Sequence, residues 1–86
     1  MDKEKLEKFK GLKELSDVVL KMEDFGSPSN LELKKIFFDI SENNFYDNLV
    51  KDMATDLMLY CEGDEFGLLS LLNKDQILKK MTATFV

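Results

Sequence analysis

The sequence predicts an all-α fold: a single compact bundle of four helices, or of five if the stretch from Phe66 to Leu72 forms one of its own. Three observations carry that prediction. Apolar residues recur at steps of three and four in successive segments, the spacing that lines one face of a helix. The breaks between those segments hold Gly, Pro, Ser and Asn, the residues of turns. The longest apolar runs are built from Leu and Met, whereas strands favour β-branched and aromatic side chains. With 86 residues there is room for one domain, spanning 1–86.

The first helix is expected from Lys3 to Glu23, with Leu6, Phe9, Leu12, Leu15, Val18, Val19 and Met22 on its buried face. Gly11 lies inside it, where glycine costs up to about 1 kcal/mol relative to alanine. It marks a close helix crossing or has no role, and the second is expected. Residues 24–30 carry the only proline and end the helix. Ser29 with Glu32 at the third place has the capping-box pattern, so a second helix is expected from about Ser29, burying Leu33, Ile36, Phe37 and Ile40 and ending near Ser41.

A third helix is expected to carry Phe45, Leu49, Met53, Leu57, Tyr60 and Cys61 on one face, with Gly63 as its C-terminal cap. Beyond it, Phe66, Leu68, Leu69, Leu71 and Leu72 precede a second capping-box spacing, Asn73 with Gln76, and then Ile77, Leu78 and Met81. Two short helices or one bent helix fit this stretch. The closing Thr82–Val86 is β-prone but has no neighbouring strand to pair with. A hairpin around residues 62–65 is the alternative to helix here, and the Leu and Met content argues against it.

Composition narrows function more than it defines it. The chain has no His, no Trp and no Arg, all twelve basic residues being Lys. That removes the usual general base, the commonest metal ligand and the bidentate clamp for phosphate or carboxylate. A Cys–His or Ser–His–Asp arrangement is excluded, one Cys without His cannot make a tetrahedral zinc site, and neither GxxxxGK[ST] nor GxGxxG occurs. Cys61 lies in an apolar stripe, where a thiol packs as a small hydrophobe. A single Cys also fits a reducing compartment, so a cytoplasmic location is expected, with no targeting or membrane-spanning segment. No enzyme activity, cofactor or metal is expected.

Residues 39–50 place oxygen-bearing side chains at the first, third, fifth and ninth positions of a calcium-loop template. Asn44 stands where the template needs Gly and Val50 where it needs Glu, so helix capping is the expected role of these residues. In this short acidic chain, Gly26-Ser27-Pro28-Ser29-Asn30-Leu31-Glu32-Leu33 resembles the acyl carrier protein segment in which Asp-Ser-Leu opens a helix and the Ser carries phosphopantetheine. The resemblance implies a group on Ser27 or Ser29. Gly26 replaces the Asp, Pro28 replaces the Leu and the family's preceding long loop is missing, so a capped helix start accounts for both serines.

Charge is unevenly spread. Residues 1–22 carry net +1, residues 23–65 net −8 and residues 66–86 net +2. An acidic third helix beside an apolar run, Leu57–Cys61, is the expected docking surface. Its members are Asp47, Asp52, Asp56, Met58, Leu59 and Tyr60. The alternatives to it are a merely solvated acidic face and a central helix that buries the run among the others. The expected function is that of a small acidic intracellular module that binds another protein, one with a basic or apolar groove, and regulates or inhibits it. A phage or mobile element is the origin its composition suggests. The alternatives are a DNA mimic occupying a nucleic-acid-binding surface, and the carrier domain. Direct nucleic-acid or membrane binding is not expected at this charge, while the apolar run also permits a homodimer.

Overall fold

The structure, a computed structural model, describes residues 3–65 and 69–85. The fold is all-α. Helix α1 spans Lys3–Val19, a short 3-10 turn spans Pro28–Asn30, and helices α2, α3 and α4 span Leu31–Ser41, Asn48–Glu62 and Lys74–Phe85. There is no strand among the described residues. Phe66 and Leu68, expected in a fourth or fifth helix, lie outside the described residues. A single helix, α4, follows, and it runs through Thr82 to Phe85, the segment whose sequence is β-prone.

Each helix end is decided by local hydrogen bonding, which shows where the sequence reading succeeds and fails. Helix α1 stops at Val19 rather than Glu23. The Lys21 and Met22 amides donate to the carbonyls of Val18 and Val19, tightening the chain into a 3-10 turn. The Lys74 ammonium donates to the carbonyls of Leu20 and Met22 at 3.0 and 3.2 Å, a cation at the negative end of the helix. Asn30 then takes the Glu23 amide on its Oδ1 at 2.7 Å and donates its own amide to the carbonyls of Glu23 and Asp24. Asn30 is 0% exposed.

The expected capping box at Ser29 is not formed. Pro28 starts a 3-10 turn that leads directly into α2, and the hydroxyls of Ser27 and Ser29 lie 3.0 Å apart. The other cap signals hold. The Val50 amide donates to Asp47 Oδ1 at 3.0 Å, closing the start of α3. Gly63 ends α3 in the left-handed conformation at φ 75°, with the Asp64 amide reaching back to the Leu59 carbonyl at 3.0 Å. Asn73 and Gln76 form the reciprocal box at the start of α4, both bonds at 2.9 Å.

Helices α2 and α3 pack antiparallel. Lys34 near the start of α2 pairs with Glu62 at the end of α3, and Ser41 at the end of α2 meets Met58 one turn earlier. Helix α1 crosses α3 and also packs against α2 and α4, while α3 packs mainly against α2. The core comprises Leu12, Leu15, Val18, Val19 and Met22 of α1 and its extension, Phe37 and Ile40 of α2, Val50, Ala54, Leu57, Tyr60 and Cys61 of α3, then Leu69, Ile77 and Met81. The Cα radius of gyration is 12.2 Å, beside about 12 Å expected for a folded chain of this length.

Two expected faces are corrected. Helix α3 buries Val50, Ala54, Leu57, Tyr60 and Cys61, while Leu49 is 37% exposed and Phe45, in the loop before α3, is 87% exposed. On α2, Ile36 remains 39% exposed, although Phe37 and Ile40 are buried and Leu33 half-buried as expected. Leu6 and Phe9 fall outside the residues whose side chains are described.

Gly11 explains the face chosen on α3. A Cβ there would stand 3.0 Å from both methyls of Val50 and 3.1 Å from a ring carbon of Tyr46, so this glycine does mark a close crossing of α1 over α3. Gly11→Ala should therefore lower the unfolding midpoint, because overpacking against a fully buried Val50 outweighs the gain of about 1 kcal/mol in helix propensity. In a Val50→Ala background, where the two methyls are gone and only the Tyr46 ring stays close, the same change should cost less. Urea unfolding of the four chains checks this, and an additive result would show that the two residues do not touch.

Candidate functional site

The six residues expected to form a docking surface are divided by the structure among different tasks. Asp47 is the N-cap of α3. Tyr60 is buried, its ring edge-on to Phe25 at a centroid distance of 5.3 Å and its hydroxyl donating to the Leu72 carbonyl at 3.1 Å. Met58 is half-buried and faces Ser41 of α2. Asp52, Asp56 and half-buried Leu59 recur at steps of four and three and share one side of α3. Burial, and then the neighbouring charge of Asp52, push the Asp56 carboxyl above its ordinary range, against the opposing pull of Lys80. In the run Leu57–Cys61, Leu57, Tyr60 and Cys61 are buried and Met58 and Leu59 half-buried.

A different surface combines apolar side chains with carboxylates. Helix α1 presents Glu14, Asp17 and Val18, and α2 presents Ile36, Asp39 and Ile40, each set spaced at three and four residues so that it falls on one helix side. The two sides face across an open groove of about 400 Å³, closed in at the α2–α3 loop by Asn43 and Tyr46. Val18 and Ile40 are buried in its floor, and Ile36 is the partly exposed member. Carboxylates stand on both sides: Glu14 and Asp17 on α1, Asp39 on α2.

The groove is held in shape by its own residues. The Tyr46 hydroxyl donates to the Glu14 carboxylate, joining positions 32 apart in the chain and fastening the α2–α3 loop to α1. Burial, that hydrogen bond and the Glu14 charge together push the Tyr46 phenol up to about 12. Asp17 pairs with Lys13 one turn away at 3.5 Å, a well-exposed contact that contributes a few tenths of a kcal/mol at most, by the general behaviour of such pairs. Asp39 has no ion-pair partner among the described residues. Sequence inspection placed Asp39 in an acidic window but missed Glu14 and Asp17, because α1 is net basic and nothing local shows which side of it faces α2.

The sequence's other chemical candidates are occupied structurally. In the calcium-like segment, Asn43 Oδ1 accepts the Phe45 amide at 2.9 Å, Asn44 Oδ1 accepts Lys51 Nζ at 3.3 Å and Asp47 caps α3. Among the described residues, no three His, Cys, Asp or Glu side chains are grouped to hold a metal, and no helix is long and apolar enough to cross a membrane. Cys61 is 1% exposed, and burial, reinforced by Glu62, pushes its thiol up to about 11.

That shift carries a sign. A thiol whose pKa is higher folded than unfolded stabilises the fold below the unfolded value and loses that contribution as pH rises through the folded one. Cys61 should therefore react slowly with thiol reagents at pH 8 unless urea is present. Stability should hold up to about pH 9 and then decline towards about pH 11. The decline should be shallower in Cys61→Ala, as melts across that range would show. Rapid labelling of the native chain would contradict the buried placement.

No family model matches the sequence, and comparison with curated proteins and with solved structures gives no match.

Proposed function

We propose that this chain is a small, non-catalytic, acidic module that binds another protein in the groove between α1 and α2 and thereby regulates or inhibits it. The observation that supports this reading is the groove itself. It combines an apolar floor, Val18, Ile36 and Ile40, with carboxylates on both sides, and a soluble helix pair has no need of that combination for its own packing. The only thiol is buried and raised in pKa, which fits a binding role and a reducing, cytoplasmic setting better than nucleophilic chemistry.

The double variant Asp17→Asn/Asp39→Asn tests it. Both side chains are exposed, so stability should change by no more than about 0.5 kcal/mol. Binding to a partner co-purified from the producing cells should weaken about ten-fold, chiefly through slower association, and should lose much of its salt dependence. Asp52→Asn/Asp56→Asn serves as the comparison on α3 and should bind as the parent does. The reverse pattern would move the docking surface to α3. Displacement of DNA from the partner would identify the module as a nucleic-acid mimic.

A further inference from the structure

The chemistry of the groove specifies the kind of segment it takes. We infer that its occupant is an amphipathic helix of a partner protein, bearing an apolar stripe flanked on both sides by Lys or Arg. The inference rests on the reading of the groove as the docking surface. Its volume, about 400 Å³, lies at the low end of small-ligand cavities, but it is open to solvent, so a small molecule would stay wetted on one side. An extended apolar ridge covers such a floor completely. A third helix laid between two others does so with side chains at i, i+3 or i+4 and i+7, the helix-in-groove mode.

Charge sets the flanks of that stripe. Glu14 and Asp17 stand on the α1 side and Asp39 on the α2 side, so cations on both edges of the incoming helix are matched and an acidic helix is repelled from both. Glu14 and Tyr46, bound to each other, close the end of the groove at the α2–α3 loop. The apolar contact falls chiefly to Ile36, the partly exposed apolar residue on the α2 side, one turn from Asp39.

Fluorescence anisotropy with labelled synthetic helices tests the inference. The probe is a helix of about 18 residues with Leu at anchor spacing and Lys on both flanks. Its controls are the same composition with the Leu positions redistributed, and the same stripe with Glu in place of Lys. The striped basic helix should bind at least ten-fold more tightly than either control, roughly 1.4 kcal/mol. That preference should be lost in Asp17→Lys/Asp39→Lys and in Ile36→Ser, each shown to be folded by its melt, and kept in Asp52→Lys. Equal binding of the redistributed helix would overturn the inference, leaving charge attraction alone. So would tighter binding of a simple alkylammonium, which would make the groove a small-ligand site, or a groove-dependent self-association in sedimentation, which would make the occupant a second copy. If the Asp17→Asn/Asp39→Asn variant loses a natural partner while no striped helix binds, the helical occupant is refuted and the docking surface stands.

Discussion

Phe37→Ala should lower the unfolding free energy by about 3–5 kcal/mol, the range for removing a fully buried aromatic side chain. Phe37 is 0% exposed and is the largest fully buried side chain among the described residues, on α2, which packs chiefly against α3. A chain of 86 residues has a total stability of roughly 4–13 kcal/mol at about 0.05–0.15 kcal/mol per residue, so the variant should be near its limit. Urea unfolding followed by circular dichroism at 222 nm checks it, since there is no Trp to report. A loss under about 1 kcal/mol would mean that α2 does not bury this side chain.

Asn30→Ala should cost about 2–3 kcal/mol, although it removes little apolar area. The Asn30 amide satisfies three backbone groups at once, the Glu23 N–H and the carbonyls of Glu23 and Asp24. Unpaired buried groups of this kind cost about 1–3 kcal/mol each, with some recovered by water in a partly buried connection. Asn30→Asp should be at least as harmful at pH 7. It keeps the acceptor for Glu23 but points a buried charge at two carbonyls. Its deficit should shrink as pH falls, because the protonated carboxyl regains a donor. Indifference to both changes would show that the connection between α1 and α2 is not fastened by this side chain.

The features legible in the sequence are those fixed by neighbours within a few residues. Gly63 and the Asn73–Gln76 pair act on amides and carbonyls one turn away, and both do what their spacing predicts, while Asp47, expected in the docking surface, caps the start of α3. The α3 face was misread because periodicity ranks residues by apolarity. Phe45 and Leu49 outrank Val50 and Ala54 on that scale, yet the crossing at Gly11 admits only a small contact. Asn30 reads as a turn residue, and its partners lie six and seven positions back. The groove was hidden for the same reason. Glu14 and Asp17 look like solvated charges on a basic helix until α2 is laid beside them.

Amide chemical-shift mapping tests the central claim most directly. The 15N-labelled chain would be titrated with the Leu-striped, Lys-flanked helix at physiological salt. The largest changes should fall on Glu14 to Val18, Ile36 to Asn43 and Tyr46, saturating together, with Asp52, Asp56 and Leu59 little affected. Changes concentrated on Asp52, Asp56 and Leu59, or spread evenly over every acidic side chain, would contradict the assignment of the groove as the docking surface.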